Sequence, residues 1–170
     1  MRRFRLSFLQ YLAAGAFLLA FGLGCAATSS IQSKGKRYRY RERIGRVTRL
    51  DFRNKSTQIL QGRYHYTYER VRDNEGEFYI ETFWQPRNPF ADEQQQGVED
   101  ARTKIILTAF PVEFTDPAGL WMSRIECLNQ VKLRGSNIWV TMPLTVSAKR
   151  YFARIADDLR VEFQSGIRKY

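Results

Sequence analysis

From about residue 38 onward, apolar and polar residues alternate along most of the chain with a period of two, as in strands with one face in a core. In Tyr38-Arg39-Tyr40-Arg41-Glu42-Arg43-Ile44 this puts Tyr38, Tyr40 and Ile44 on one side and three arginines on the other. Thr48-Arg49-Leu50-Asp51-Phe52-Arg53 continues as a second alternation. Residues 61–70 place Tyr64, Tyr66 and Tyr68 on one strand face, Asp73-Asn74-Glu75-Gly76 is a turn sequence, and 77–84 returns as the partner of a hairpin. Aromatic pairs across a hairpin stabilise the sheet itself, and a tyrosine row is also suited to stacking on a glycan. The stretch 86–100, with Pro86, Pro89, three glutamines and Gly97, lacks a period and reads as a long exposed loop, with Phe90 able to fold back onto the sheet.

Further strands are predicted at 103–115, with Pro111 marking a bend or an edge, and at 120–128 after Asp116-Pro117-Ala118-Gly119. Two more, 131–134 and 138–146, flank Gly135-Ser136-Asn137. From Ser147 the period changes. Ala148, Tyr151, Phe152, Ile155, Ala156 and Leu159 recur at spacings of three and four, predicting an amphipathic helix, with a hairpin turning at Asp157-Asp158 as the rival. Residues 160–164 then read as a closing strand. Seven or eight strands with short turns define a mainly β fold: an antiparallel β-sandwich or curved sheet with one C-terminal amphipathic helix.

The 170 residues include 28 Lys or Arg against 17 Asp or Glu, a net charge of +11. An average of this kind points to nucleic acid or an anionic membrane surface, but its distribution changes the picture. Three arginines lie in residues 1–24, and the span 34–55 carries ten basic residues against Glu42 and Asp51. Residues 56–170 are balanced, with fifteen of each sign. Arg37, Arg39, Arg41, Arg43, Arg46, Arg49 and Arg53 therefore form a basic strip, the candidate surface for an acidic partner or a membrane. The opposing reading is an edge strand whose arginines mainly discourage aggregation.

The N-terminus explains why this strip lies where it does. Met1-Arg2-Arg3-Phe4-Arg5 is followed by 18 residues, 6–23, without a charge, the layout of an export signal. The run ends in Phe21-Gly22-Leu23-Gly24-Cys25, followed by Ala26-Ala27-Thr28. This segment resembles the lipobox of bacterial lipoproteins, with Gly22 where that family usually has leucine. The resemblance covers residues 1 to about 30 and implies cleavage before Cys25, with diacylglycerol on the thiol and an acyl chain on the new amino group. It implies no other cofactor. Two or three acyl chains anchor stably where one does not. Ala26, in place of the aspartate that retains such proteins in the inner membrane, implies an outer-membrane lipoprotein facing the periplasm in a Gram-negative cell. An uncleaved N-terminal anchor and an ordinary secretory signal are the alternatives, and all three put the domain outside the cytoplasm. The expected organisation is a signal peptide at 1–24, a flexible tether at 25–36, and a single β-rich domain at 37–170.

An exported chain leaves little room for conventional nucleic-acid roles, although arginine and tyrosine interleaving suits single strands. Catalytic chemistry is sparse. The sole histidine, His65, sits between tyrosines, and there is no nucleophile elbow, no paired metal-ligand spacing and no glycine-rich phosphate loop. Of the two cysteines, Cys127 alternates with Trp121 and Ile125 and reads as a buried thiol. The expected function is a noncatalytic, lipid-anchored assembly component of a larger envelope complex. Its expected partners are the membrane through the anchor, protein subunits, and anionic lipid or glycan. A glycan- or lipid-binding module using the Tyr and Trp faces is the alternative, and a hydrolase the third.

Overall fold

The computed structural model describes residues 37–112 and 119–166. The signal, Cys25 and the tether lie outside this range, as do residues 113–118 and with them Asp116, Pro117 and Ala118 of the expected turn. The described chain is mainly β, one open antiparallel sheet of six strands with a long C-terminal helix packed on it. Of the two architectures the alternation allowed, a single sheet is the one formed.

β1 (Arg39–Thr48) keeps the predicted polarity up to Arg43 and then bulges, so that Ile44 is followed by Gly45 opposite Ser123. Gly45 sits at φ +148°, where a side chain would strain the backbone. The extra residue restores the phase: Ile44 and Val47 are buried, while Arg39, Arg41, Arg43 and Arg46 remain on the opposite face. Tyr40 packs toward the core beside Phe152, whereas Tyr38, just ahead of the strand, is exposed.

The second alternation does not form a strand. Residues Arg49–Thr57 make helix α1, which runs into a π-helical turn at Gln58–Arg63. Thr48 supplies the N-cap, its Oγ1 accepting from the Asp51 amide at 3.1 Å, and Asp51 complements the first turn. Phe52, Ser56, Ile59 and Leu60 are buried at i, i+4, i+7 and i+8, a helical period that outweighs the six-residue alternation at its start. The helix also absorbs residues 61–63 of the expected Tyr strand. His65 then turns the chain at φ +59°, so it is not a strand residue.

β2 (Tyr68–Asp73) and β3 (Phe78–Thr82) form the hairpin, closed by an Asn74 amide to Glu77 carbonyl bond of 2.9 Å. The tyrosines make no ladder. Tyr64 donates to Asp158 at 2.7 Å, Tyr66 is buried with its hydroxyl 2.6 Å from Thr103, and Tyr68 donates to Thr57 at 3.3 Å.

The expected exposed loop at 86–100 is ordered. It contains β4 (Gln85–Arg87), the four-residue helix α2 (Ala91–Gln94) and the start of β5 (Val98–Pro111). Glu93 is 2% exposed and accepts from both Arg87 Nη atoms at 2.7 and 2.6 Å, from Asn129 Nδ2 at 3.0 Å and from the Phe90 amide at 2.9 Å. Arg87 also lies 4.0 Å over the Phe90 ring, and Phe90 packs against Tyr151. A polar, acidic segment is thus fixed by one buried carboxylate.

β6 (Leu120–Leu133) is continuous, joining the two strands expected at 120–128 and 131–134. Pro111 ends β5 opposite Trp121. The expected strand at 138–146 is reduced to a single bridge, Val131 with Val140. The order across the sheet is β1-β6-β5-β3-β2, with β4 also pairing β5, so β1 and β2 are edges.

Helix α3 spans Val146–Gly166 and includes the expected closing strand. Leu159 and Phe163 are both buried and four residues apart, continuing the helical stripe of Ala148, Phe152 and Ile155. A short run such as 160–164 satisfies either period, and packing against Phe52, 5.8 Å from Phe163, selects the helix. Its first turn is capped by Thr145 Oγ1, 3.2 Å from the Ala148 amide, and by Asp92, 2.9 Å from the Ser147 amide. Burial works against the Asp92 carboxylate, but the Ser147 bonds outweigh it and hold its pKa below the ordinary value.

Candidate functional site

The helices occupy one side of the sheet. Ile105, Leu107 and Ala109 of β5, together with Trp121, Ile125 and Cys127 of β6, join Phe52, Leu60, Phe152 and Phe163 in one buried cluster. Cys127 is completely buried, and burial pushes its thiol pKa well up, so it is an inert core residue.

The opposite face bears the remaining strand positions. Its cross-strand rows follow from the register: Arg43, Arg124, Thr108, Tyr79 and Arg72 in one, and Arg41, Glu126, Ile106, Glu81 and Arg70 in the next. A third begins Arg39, Leu128, Lys104. An open depression of about 430 Å³ lies here, lined by Arg41, Arg43, Arg124, Glu126, Ile106, Thr108 and Phe110 among others.

Charge is not evenly spent across this face. Toward β2 and β4, Lys104 and Arg102 are held by other side chains of the protein. Lys104 reaches Glu69 at 2.5 Å and Glu81 at 2.9 Å. Burial opposes its charge, but these two carboxylates outweigh that and raise its pKa. The Lys104 hydrogen bond in turn lowers that of Glu81 against the cost of burial. Arg102 lies between the Trp84 and Trp139 rings, 4.8 and 4.2 Å from their centroids, and bonds Gln130 at 2.6 and 2.9 Å. Burial lowers its pKa. Trp84 and Trp139 are therefore occupied by the protein's own cations.

Toward β1 the balance is different. Glu126 is shared by Arg39 and Arg41, each at 3.0 Å. Arg43 faces Arg124 across the β1–β6 pair, Arg46 follows, and no carboxylate among the described residues pairs with any of these three. The positive field concentrates along the β1 edge.

The predicted strip thus divides. Arg39, Arg41, Arg43 and Arg46 come together on the open face. Arg37 precedes the strand, exposed, with its carbonyl accepting from the Leu144 amide at 2.8 Å. Arg49 is drawn off to Asp73, 2.8 Å from its Nε, with its guanidinium 5.6 Å from the Trp121 centroid. Arg53 projects from α1. Arg124 and Glu126 were missed as site residues, although both share the polar parity of β6. Sequence gives that parity but not the strand neighbour, and β6 pairs with β1 across about 80 residues.

Among the described residues, no three His, Cys, Asp or Glu side chains converge as a metal site requires, and no helix is long and apolar enough to cross a membrane. No known protein family and no curated protein matches the chain. The surface is that of a single-layer antiparallel sheet whose uncovered face is cationic at one edge.

Proposed function

We propose that this protein is a noncatalytic, lipid-anchored component of the cell envelope that docks onto an acidic partner through the open face of its sheet. The anchor at Cys25 rests on the lipobox resemblance, and with it the placement in the outer membrane facing the periplasm. The observation that carries the docking role is the gathering of Arg39, Arg41, Arg43 and Arg46 with Arg124 on one uncovered face, where among the described residues Glu126 is the one carboxylate bonded to any of the five. Arginine suits this task because its planar donor fork matches carboxylates and phosphates. The partner is a subunit of a larger envelope assembly, and an anionic membrane leaflet is the other surface of suitable charge, each basic residue near it contributing roughly 1 kcal/mol.

The test is affinity purification of the full chain from solubilised membranes with mass spectrometry, which also reports the mass of the Cys25 peptide. Replacing Arg39, Arg41 and Arg43 with serine should deplete the co-purifying partners, because exposed side chains are lost and the core is untouched. Association that is unchanged in this variant and insensitive to salt would refute the role.

A further inference from the structure

β1 has a strand neighbour on one side only. β6 pairs with it from Arg39 to Thr48, and among the described residues no backbone group of another segment bonds to those ten residues on the outer side. Such an edge is a template for one more strand. Its arginines restrict which strand can be added. A second copy of this chain pairing antiparallel through β1 would bring arginine opposite arginine on the continuing open face, and like charges directly opposite are destabilising.

We propose that the outer edge of β1 receives an extended segment of a partner protein as an added antiparallel strand, carrying acidic residues at every second position. This rests on the docking role proposed above and specifies its mode. The protein already shows the recognition on the inner side: Glu126, opposite Arg41 on β6, pairs with both Arg39 and Arg41 at 3.0 Å, leaving one positive charge uncompensated. An added strand lies at the same spacing of about 4.8 Å on the other side. Its same-face residues recur about every 7 Å, matching Arg39, Arg41 and Arg43. A carboxylate there would meet Arg43, whose neighbour on β6 is Arg124 and not an acid. On the helix side the edge presents Tyr40 and Glu42, and Glu42 is bonded to Arg160 of α3, so the intervening partner residues are small and polar. Main-chain bonds would supply affinity, and the arginine row would set the register.

The probe is a fluorescent ten-residue peptide of alternating Glu and Thr, added to the full chain in neutral detergent. Two further peptides carry N-methyl groups on one or the other alternate set of amides, keeping the charge and removing the main-chain donors of one edge. The alternating peptide should bind and slow amide exchange within residues 39–48. One methylated peptide should bind at least about tenfold more weakly, since several backbone hydrogen bonds are removed together. Equal binding by all three peptides, or binding without slowed exchange in 39–48, overturns the added strand but leaves electrostatic docking standing. Binding only to phosphatidylglycerol vesicles does the same and assigns the face to the membrane. Binding to neither peptide nor vesicle overturns both the mode and the docking role.

Discussion

Replacing Glu93 with alanine tests the buried network that orders the segment following β4. The carboxylate is 3% exposed at the side chain, and Arg87, its bidentate partner, is 12% exposed. Removing one member of a buried pair leaves the other charge without compensation, at a cost of about 3–5 kcal/mol. The Phe90 amide and Asn129 Nδ2 also lose an acceptor. Against a typical domain stability of about 5–15 kcal/mol this is a large fraction, and it corresponds to a fall in Tm of roughly 10–20 °C. Glu93→Leu combined with Arg87→Met removes both charges together, so the pair should cost at least about 2 kcal/mol less than the sum of the two single substitutions. Thermal and denaturant unfolding followed by near-UV circular dichroism measures both quantities, and limited proteolysis within 86–97 reports local release. A cost below about 1 kcal/mol for Glu93→Ala, or simple additivity in the double variant, would refute the buried network and return the segment to an exposed loop.

Phe163→Ala should destabilise by about 3–5 kcal/mol in the same unfolding assay, because a fully buried ring in the helical stripe is lost; a cost under 1 kcal/mol would mean that 160–164 does not pack as helix. Cys127 should resist iodoacetamide in the native protein and react once denatured, as located by peptide mass spectrometry, and native labelling at a comparable rate would contradict its burial. The bond from Lys104 lowers the Glu81 pKa, so its stabilisation is complete above the ordinary glutamate range near about 4.3 and is lost as pH falls through the folded value. The Tm difference between wild type and Glu81→Gln should therefore shrink below about pH 4. A constant difference from pH 7 to 3 would argue against the Lys104 pairing.

The residues whose local pattern differs from their structure show where local information ends. Thr48 to Arg53 alternates for six residues, yet the cap at Thr48 and the buried series Phe52, Ser56, Ile59, Leu60 belong to a helix. Both patterns are present, and the longer one has the larger buried face. In 86–100 the polar composition is accurate, but one of its acids is solvent-excluded because Arg87 and Asn129 converge on it from β4 and β6. No spacing rule reveals such a meeting. Tyr64, Tyr66 and Tyr68 alternate as a strand would, but only Tyr68 lies in one.

The chain itself determined the antiparallel β character, the hairpin around residues 73–77, the C-terminal helix, the core position of Cys127 and the concentration of charge in 34–55. These depend on periods of two or 3.6, on turn residues and on counting, all local properties. Tertiary structure alone decided that the sheet is a single layer, that the face bearing Arg41, Arg124 and Glu126 stays uncovered, and that β1 is an edge beside β6. Strand order is a long-range choice made by packing, and it separates Arg39, Arg41, Arg43 and Arg46 from Arg49, which leaves with a helix. A basic segment became a row of arginines on an open edge because of where β6 pairs, not because of its own composition.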